Sequence, residues 1–249
     1  MKPFPRMRFI IALGGMLFAL TGSLAFAQVS SVTVEDIARL VHERKMQELA
    51  KIPLKGFYLI CAYGTRADVQ KALKAGADPN AGDPEHGGTP PLTMAAGNNP
   101  DPAVVTLLLK AGADIRHRGE NYNRTALHQV ILFNKNALPV VKALLKGKPD
   151  LYVIDIQYNT ALDYAIAGKT GKNKVFDGKP REDIMLPLLD AAASLPFTLA
   201  DMDQKTFYTR KLRLYATAYR SGENGGKMNP KVLAGFKKAG ADMDAVKPH

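Results

Sequence analysis

The 249-residue chain has two acids and two histidines in polar segments that could together bind a metal ion. His86 lies beside Asp83 and Glu85, and His117 follows 31 residues later. Imidazole nitrogens and carboxylate oxygens are ligands of zinc, but known zinc sites hold them at characteristic spacings. The spacing here matches none of those patterns. We therefore predict no metal site and place these side chains on the surface.

Motifs of the common enzyme classes are missing from the sequence. There is no Gly-x-Ser-x-Gly, no His-Glu-x-x-His and no pair of cysteines,. Gly168-Lys169-Thr170-Gly171-Lys172 lacks the four-residue spacer of a phosphate-binding loop,. We predict no catalytic residue and no cofactor. The alternative that stays open is a hydrolase in the C-terminal third, with Asp177, Asp183 or Asp201 as candidate acids,.

Cys61 is the only cysteine, so the chain cannot form an internal disulfide,. Its neighbours Ile60 and Ala62 are apolar, and no base is suggested nearby. A reactive thiol needs exposure and a group that lowers its pKa. We therefore predict that Cys61 is a small buried residue without a chemical role.

One phrase recurs at a nearly constant interval and determines how the candidate residues are positioned. Ala75-Gly76-Ala77-Asp78 returns as Ala111-Gly112-Ala113-Asp114 and, more weakly, as Lys148-Pro149-Asp150, so the three aspartates are 36 residues apart. A second phrase, Thr125-Ala126-Leu127, returns after 35 residues as Thr160-Ala161-Leu162. A period of this length is typical of stacked supersecondary units, none of which can bury its apolar face alone.

The repeated unit resembles the ankyrin repeat. The family phrase begins with Thr-Pro-Leu-His and paired alanines, continues with a leucine-rich helix and ends with Gly-Ala-Asp. One copy runs from Pro90-Pro91-Leu92-Thr93-Met94-Ala95-Ala96 through Val104-Val105-Thr106-Leu107-Leu108-Leu109 to Gly112-Ala113-Asp114. The next copy runs from Thr125-Ala126-Leu127-His128 to Pro149-Asp150. The resemblance covers about residues 56–167, and a worn last copy ends at Ala239-Gly240-Ala241-Asp242.

The resemblance implies an all-α, ankyrin-type solenoid of helix-turn-helix repeats with helical N- and C-terminal caps. It also implies a structural, hydrogen-bonding role for His128. Thr125 and Thr160 are placed to cap helices, and Gly76, Gly112 and Gly240 are placed where the chain leaves a helix with positive φ. Lys148-Pro149-Asp150 lacks the glycine, which predicts a turn of a different shape.

By the same resemblance, the protein binds a protein partner through its hairpin tips and concave helix face. The register places the tips at 79–88, 115–124 and 151–159. Arg and Tyr often carry the binding energy of interfaces, so the preferred contact surface is Arg116, Arg118, Tyr122 and Arg124. The full predicted set is Asp83, Glu85, His86, Arg116, His117, Arg118, Tyr122, Arg124, Tyr152, Asp155 and Tyr158.

The chain divides into four parts. Residues 1–27 have the basic start, apolar stretch and Ala25-Phe26-Ala27 ending of a secretory signal peptide,. A capping helix is predicted within 28–53. About four ankyrin repeats follow in 54–199, the last interrupted by a loop at 168–181. Residues 200–249 are predicted to form a divergent C-terminal repeat or cap.

The net charge and the predicted export limit the kinds of partner that we expect. The chain carries a net charge of +11, and loss of Lys2, Arg6 and Arg8 with the signal peptide would leave +8. There is no nucleic-acid signature and no second spanning segment. We predict a periplasmic or secreted monomer. It would be an immunity-like inhibitor of a toxin or an accessory factor for a periplasmic enzyme. A basic surface that docks on lipid or cell-wall polymer is the remaining alternative.

Overall fold

The computed structural model describes residues 56–82, 88–119, 122–168, 179–194, 202–220 and 227–246. All of them belong to one compact unit of the chain, Leu49–His249. The predicted signal peptide and the predicted capping helix within 28–53 lie outside the described residues, and so does most of the predicted loop 168–181.

The described ranges are all-α and contain ten helices. Their bounds are α1 Phe57–Tyr63, α2 Arg66–Lys74, α3 Pro91–Asn98, α4 Pro102–Lys110, α5 Ala126–Phe133, α6 Ala137–Lys146, α7 Ala161–Ala167, α8 Glu182–Ala192, α9 Gln204–Arg220 and α10 Pro230–Lys238. None of these helices is both long and apolar enough to cross a membrane.

The helices form five consecutive pairs that stack in two rows. The first helices of the pairs, α1, α3, α5, α7 and α9, pack one on the next. The second helices, α2, α4, α6, α8 and α10, do the same. Each pair therefore buries its apolar side chains against its neighbours in the row, as the predicted solenoid requires.

Side chains and prolines start these helices where the sequence predicts. Thr125 forms a capping box with His128, and Thr160 forms one with Asp163. Each pair satisfies two main-chain groups that the first turn of a helix leaves unpaired. The helices α3, α4 and α10 begin with a proline at or next to the first position, where its missing N–H is not needed. In α4 and α10 the side chains of Asp101 and Asn229 also accept a main-chain N–H of the first turn.

The repeated glycines end three second-row helices in the same way. Gly76, Gly112 and Gly240 have φ of 91°, 92° and 106°. The N–H of the following residue then bonds back into the helix, as Ala113 N does to Leu108 O at 3.0 Å. This is the hydrogen-bond pattern of a Schellman cap. The worn copy at 239–242 thus closes the fifth helix pair in the same way as Gly76 and Gly112 close the first two.

The turn after α6 corrects one prediction. The absence of glycine predicted a different shape, but Lys148 takes the left-handed backbone with φ of 53°. Its N–H bonds to Leu145 O at 3.0 Å, as the N–H of Gly112 does to Leu109 O at 3.2 Å. Only the second bond of the cap is lost, because Pro149 has no N–H. We infer that the stacking of α6 on its neighbours imposes the left-handed backbone at this position. Lys148 adopts that backbone although its Cβ makes it less favourable than for glycine.

The core runs without a break along both rows. Its fully buried members include Leu108, Leu144, Ile166, Ile184 and Phe236, one or more from each of the last four pairs. Cys61 is also fully buried, and burial raises the pKa of its thiol far above the ordinary value. The prediction that Cys61 is a core residue is confirmed.

The C-terminal pair is attached to the array by polar contacts as well as apolar ones. Lys211 of α9 forms an ion pair with Asp163 of α7, with 2.6 Å between Nζ and Oδ2. The hydroxyl of Tyr208 donates to that of Tyr152 at 3.2 Å in the interior. Tyr208 and Tyr152 connect α9 to the hairpin before α7, so the long helix α9 continues the first row.

Candidate functional site

The predicted contact residues separate into an exposed set and a buried set. Arg116, Arg118, Tyr122 and Tyr158 are exposed on the second and third tips, and His117 is partly exposed. Arg124, Tyr152 and Asp155 are buried, with 9%, 5% and 3% of their surface exposed. Asp83, Glu85 and His86 of the first tip lie outside the described residues.

Arg124 and Asp155 form the centre of a buried network between two repeats. Arg124 Nε donates to Asp155 Oδ2 at 3.1 Å, and Arg124 Nη2 donates to the Tyr164 hydroxyl at 3.0 Å. The Tyr164 hydroxyl in turn donates to Asp155 Oδ2 at 2.5 Å. Burial opposes the charge on Asp155, but the hydrogen bonds from Tyr164, the Asn159 N–H and Arg124 outweigh it and lower the pKa of Asp155,. This network joins the second tip to the helix pair α7–α8.

Two further residues, Tyr152 and His128, have packing and hydrogen-bond partners that indicate a structural role. Tyr152 packs edge-on against Phe207 and Tyr208 of α9, with ring centroids 5.3 Å and 6.2 Å away. His128 Nδ1 lies 3.3 Å from the Thr125 N–H, and its Nε2 lies 3.1 Å from the Asn159 carbonyl oxygen. These partners fix a neutral ring that accepts at Nδ1 and donates at Nε2. The predicted structural role of His128 agrees with these hydrogen bonds.

Four exposed apolar side chains share the second and third tips, and we name them the apolar tip cluster. They are Tyr122, Ile154, Ile156 and Tyr158, exposed by 51%, 43%, 56% and 81%. Two hydrogen bonds hold their hairpins together, from Asn123 Nδ2 to Ile154 O at 3.0 Å and from Ile156 N to Tyr122 O at 3.2 Å. The hydrogen bonds keep the cluster on one rigid edge of the array.

Sequence reasoning missed the two isoleucines of this cluster. Apolar side chains in a short hairpin are usually expected to face the core. Ile154, Ile156 and Tyr158 lie at every second position, but residues 155–158 form a turn in which Tyr158 N donates to Asp155 O at 3.0 Å. Val153 and Asp155 are buried while Gln157 is exposed like its neighbours, so no simple alternation in the sequence signals which of these side chains face solvent.

A pocket of about 200 Å³ lies at the base of the second tip. It opens between that tip and the helices α3 and α5. Its lining residues are Thr89, Thr93, Met94, Asn98, Gly119, Tyr122, Arg124 and Gln129. Arg124 Cζ is 4.8 Å from the centroid of the Tyr122 ring, which covers one face of the guanidinium. Phe133, at the end of α5, is 52% exposed. The pocket, unlike the tip residues, could not be inferred from the sequence.

The described residues contain no group of three or more metal-ligating side chains that could hold an ion. Of the acids proposed for a hydrolase, Asp183 is exposed and lies 3.2 Å from Arg181. Asp177 and Asp201 lie outside the described residues. The neighbouring Glu182 accepts hydrogen bonds from Tyr215 and Asn229 at 2.5 Å and 2.6 Å. These bonds tie α8 to the last helix pair, and nothing in the cluster resembles a paired acid and base.

Comparison with known families supports the predicted resemblance. No curated protein matches the chain. The family model of ankyrin repeats matches residues 57–155 in three copies, which is the part of the chain that forms α1 to α6, the second tip and the start of the third tip. Ile156 and Tyr158 lie just beyond the match. Residues 57–155 therefore belong to the ankyrin-repeat family.

Proposed function

We propose that this protein binds a partner protein, without catalysis, through the apolar tip cluster, Phe133 and the pocket beneath Tyr122. Ankyrin repeats indicate a protein–protein interaction module. The proposed surface includes the second tip and first-row helices of the matched repeats. It also includes the third tip, which begins within the match and continues beyond it. Exposed aromatic side chains on a rigid scaffold are the residues that interfaces use as anchors.

Tyr158 is the observation that carries the proposal. It is 81% exposed and has a left-handed backbone with φ of 61°. Asn123 occupies the same place in the preceding hairpin with φ of 53°, and Asn tolerates this conformation far better than Tyr. Neither packing nor turn geometry requires an aromatic ring here. Strained residues that persist without a structural reason are typical of functional sites.

We propose further that residues 1–27 direct export, so that the partner is periplasmic or outside the cell. The basic start and the apolar stretch before Ala25-Phe26-Ala27 support this,. The partner would be a toxin that the protein neutralises or an enzyme that it supports. Identification of the bound protein decides between these two roles.

Export is tested by separating the compartments of cells that express the chain. We expect the protein in the periplasm or the medium, with an N-terminus at Gln28. A protein that stays in the cytoplasm with residues 1–27 attached would contradict the proposal. A variant with Arg or Lys in place of Leu17 and Leu20 interrupts the apolar stretch and should abolish export.

Binding is tested by co-purification from the compartment in which the protein resides. The wild-type chain is compared with a double variant, Ile156→Ser with Tyr158→Asn. Leu214→Ser is the matched control, because Leu214 is 42% exposed on α9, away from the tips. We expect one specific protein with the wild type and the control, and at least a tenfold weaker signal with the double variant.

Two outcomes would overturn the proposal. One is a partner that the double variant retains at full affinity. The other is a purified chain that turns over a substrate and retains no protein. The salt dependence of binding tests the remaining alternative, a basic surface that docks on an anionic polymer. Binding that disappears between about 50 and 300 mM salt, equally for the wild type and the variants, would indicate that alternative.

A further inference from the structure

The pocket beneath Tyr122 contains a positively charged group whose hydrogen bonds are incomplete. Arg124 Nε and Nη2 donate to Asp155, Tyr164 and Gln157. Arg124 Nη1 has no acceptor among the described residues. A guanidinium offers five N–H donors, and Arg124 lines the pocket with 9% of its surface exposed. The Nη1 donors are therefore the part of the guanidinium that a group entering the pocket can engage.

The rest of the lining is suited to a negatively charged oxygen. Hydroxyl and amide groups line the pocket at Thr93, Asn98 and Gln129, and none of the lining residues that the structure describes carries a carboxylate. Asp155, which balances the charge of Arg124 through Nε, is not among the described lining residues. A carboxylate that reached Nη1 would make a charge-assisted hydrogen bond, which is shorter and stronger than one between neutral groups.

The second tip, which supplies Gly119, Tyr122 and Arg124 to the lining, adds positive charge. Arg116 and Arg118 are exposed on the second tip, and neither forms an ion pair within the described part of the chain. The nearest aspartate in sequence, Asp114, accepts the main-chain N–H of Arg116 at 2.9 Å and so stabilises the turn. Exposed cations on this tip attract an acidic partner during encounter. Tyr122 of the apolar tip cluster also lines the pocket.

We propose that the partner presents a linear segment in which an Asp or Glu lies next to aromatic or aliphatic residues. The carboxylate enters the pocket and binds Arg124, and the apolar neighbours pack on Tyr122, Ile156 and Tyr158. This inference rests on the proposed function, because it names the chemistry of the group that the same surface accepts.

A library of random 12-residue peptides displayed on phage, selected on the purified chain, tests the inference. We expect the enriched peptides to share an acid flanked by apolar residues. The dissociation constant of a labelled peptide is then measured by fluorescence polarisation. Replacement of its Glu by Gln, or its Asp by Asn, should weaken binding at least tenfold, because shape is retained and only the charge is lost. This substitution leaves the protein unchanged and so cannot be confused with misfolding.

Variants of the protein provide the second measurement. Arg118→Ala should weaken binding about threefold and reduce its salt dependence. Arg210→Ala is the matched control, because Arg210 is exposed on α9, and it should have no effect. Ile156→Ser should weaken binding of the same peptide.

The outcomes separate the two proposals. If Ile156→Ser in the protein abolishes binding but Glu→Gln in the peptide has no effect, the proposed role of the carboxylate is wrong and the proposed surface stands. Peptides that bind all variants equally overturn both. A library that yields no binder overturns the linear acidic segment, and co-purification then decides the proposed function on its own.

Discussion

Asn134 reaches across a repeat boundary to Asn99. Its side-chain Nδ2 donates to the carbonyl oxygens of Asn99 and Ala96, both at 2.7 Å. Asn99 repeats the arrangement one unit earlier, where its Nδ2 donates to Cys61 O at 3.0 Å and Gly64 O at 2.9 Å. Both asparagines are 3% exposed. A single buried amide thus satisfies two carbonyls at the end of the neighbouring first-row helix, and the first three repeats are linked in series.

Removal of one of these amides should destabilise the array strongly. Asn134→Ala deletes the two buried hydrogen bonds to carbonyl oxygens and a third that Oδ1 accepts from Asn136 N at 2.8 Å. We therefore expect a loss of about 2–4 kcal/mol in the free energy of unfolding. Urea denaturation followed by circular dichroism measures the change. Asn136→Ala is the control, because the Asn136 side chain donates to Pro100 O at 2.8 Å in an exposed position. Equal losses for the two variants would contradict a special role of the buried amide.

Tyr158 should show a trade between stability and binding. Tyr158→Asn places the residue of the preceding hairpin in the same left-handed turn, so we expect a gain of about 1 kcal/mol in stability. Binding of the partner or of a selected peptide should fall, because an exposed ring is lost. Tyr122→Asn is the comparison: the residue has no positive φ, so binding should fall without a gain in stability. Thermal unfolding and fluorescence polarisation measure the two effects, and a destabilised Tyr158→Asn would refute the account of strain.

Neighbouring lysines at the end of α6 should respond in opposite directions to the same substitution. Lys148 has φ of 53°, and Lys148→Gly should stabilise the protein by about 1 kcal/mol, since glycine adopts this backbone without strain. Lys146 is the last residue of α6, and Lys146→Gly should destabilise it by about 1 kcal/mol. Both side chains are exposed, so neither change removes packing. Denaturant midpoints that move in the same direction would contradict the prediction.

The ion pair between α7 and α9 should contribute more than a surface pair of the same chemistry. The side chains of Lys211 and Asp163 are 16% and 9% exposed. Lys211→Met leaves the Asp163 carboxylate without its cation, and we expect a loss of about 2 kcal/mol. Lys205 pairs with Asp242 at 3.1 Å, but these side chains are 66% and 32% exposed, so Lys205→Met should lose less than about 0.5 kcal/mol. Comparable losses in urea denaturation would mean that the C-terminal pair is held mainly by apolar packing.

Much of this fold can be predicted from the sequence, because its determinants recur in register. Positive φ at Gly112 and the capping role of Thr160 both follow from residue type and position,. Lys148 shows the limit of this reasoning. Its neighbours in the stack require the left-handed exit, and that requirement outweighs the local preference of the residue.

Less of the candidate site can be predicted. Arg124 and Asp155 lie in hairpins and are charged, so the sequence placed them on the surface. In the structure Arg124 donates to Asp155 of the next hairpin and to Tyr164 of α7. That partnership depends on how two repeats stack, and no local pattern encodes it. The exposure of Ile156 has the same origin, because the neighbouring tip fixes which side of the hairpin faces solvent.

His128 should make stability depend on pH in a defined window. Burial lowers the pKa of His128 below its ordinary value, although the Asn159 carbonyl acts in the opposite direction,. The folded protein then keeps the ring neutral at a pH where the unfolded chain, with a pKa of about 6.5, takes up a proton. The stability contributed by the neutral ring is present above about pH 7 and is lost as the pH falls, by at most about 1.4 kcal/mol per pH unit. Unfolding free energies between pH 8 and 5 measure this loss.

His128→Gln should flatten that window, while His117→Gln, a change at a partly exposed tip position, should leave it unchanged. A second loss should follow at lower pH in every variant. Hydrogen bonds outweigh burial and lower the pKa of Asp155 and Glu182, so the stability from these carboxylates is present above the unfolded pKa of about 4 and falls below it. If His128→Gln kept the decline between pH 7 and 5, another group would have to be taking up the proton, and the neutral ring bridging Thr125 and Asn159 would not control stability in this range.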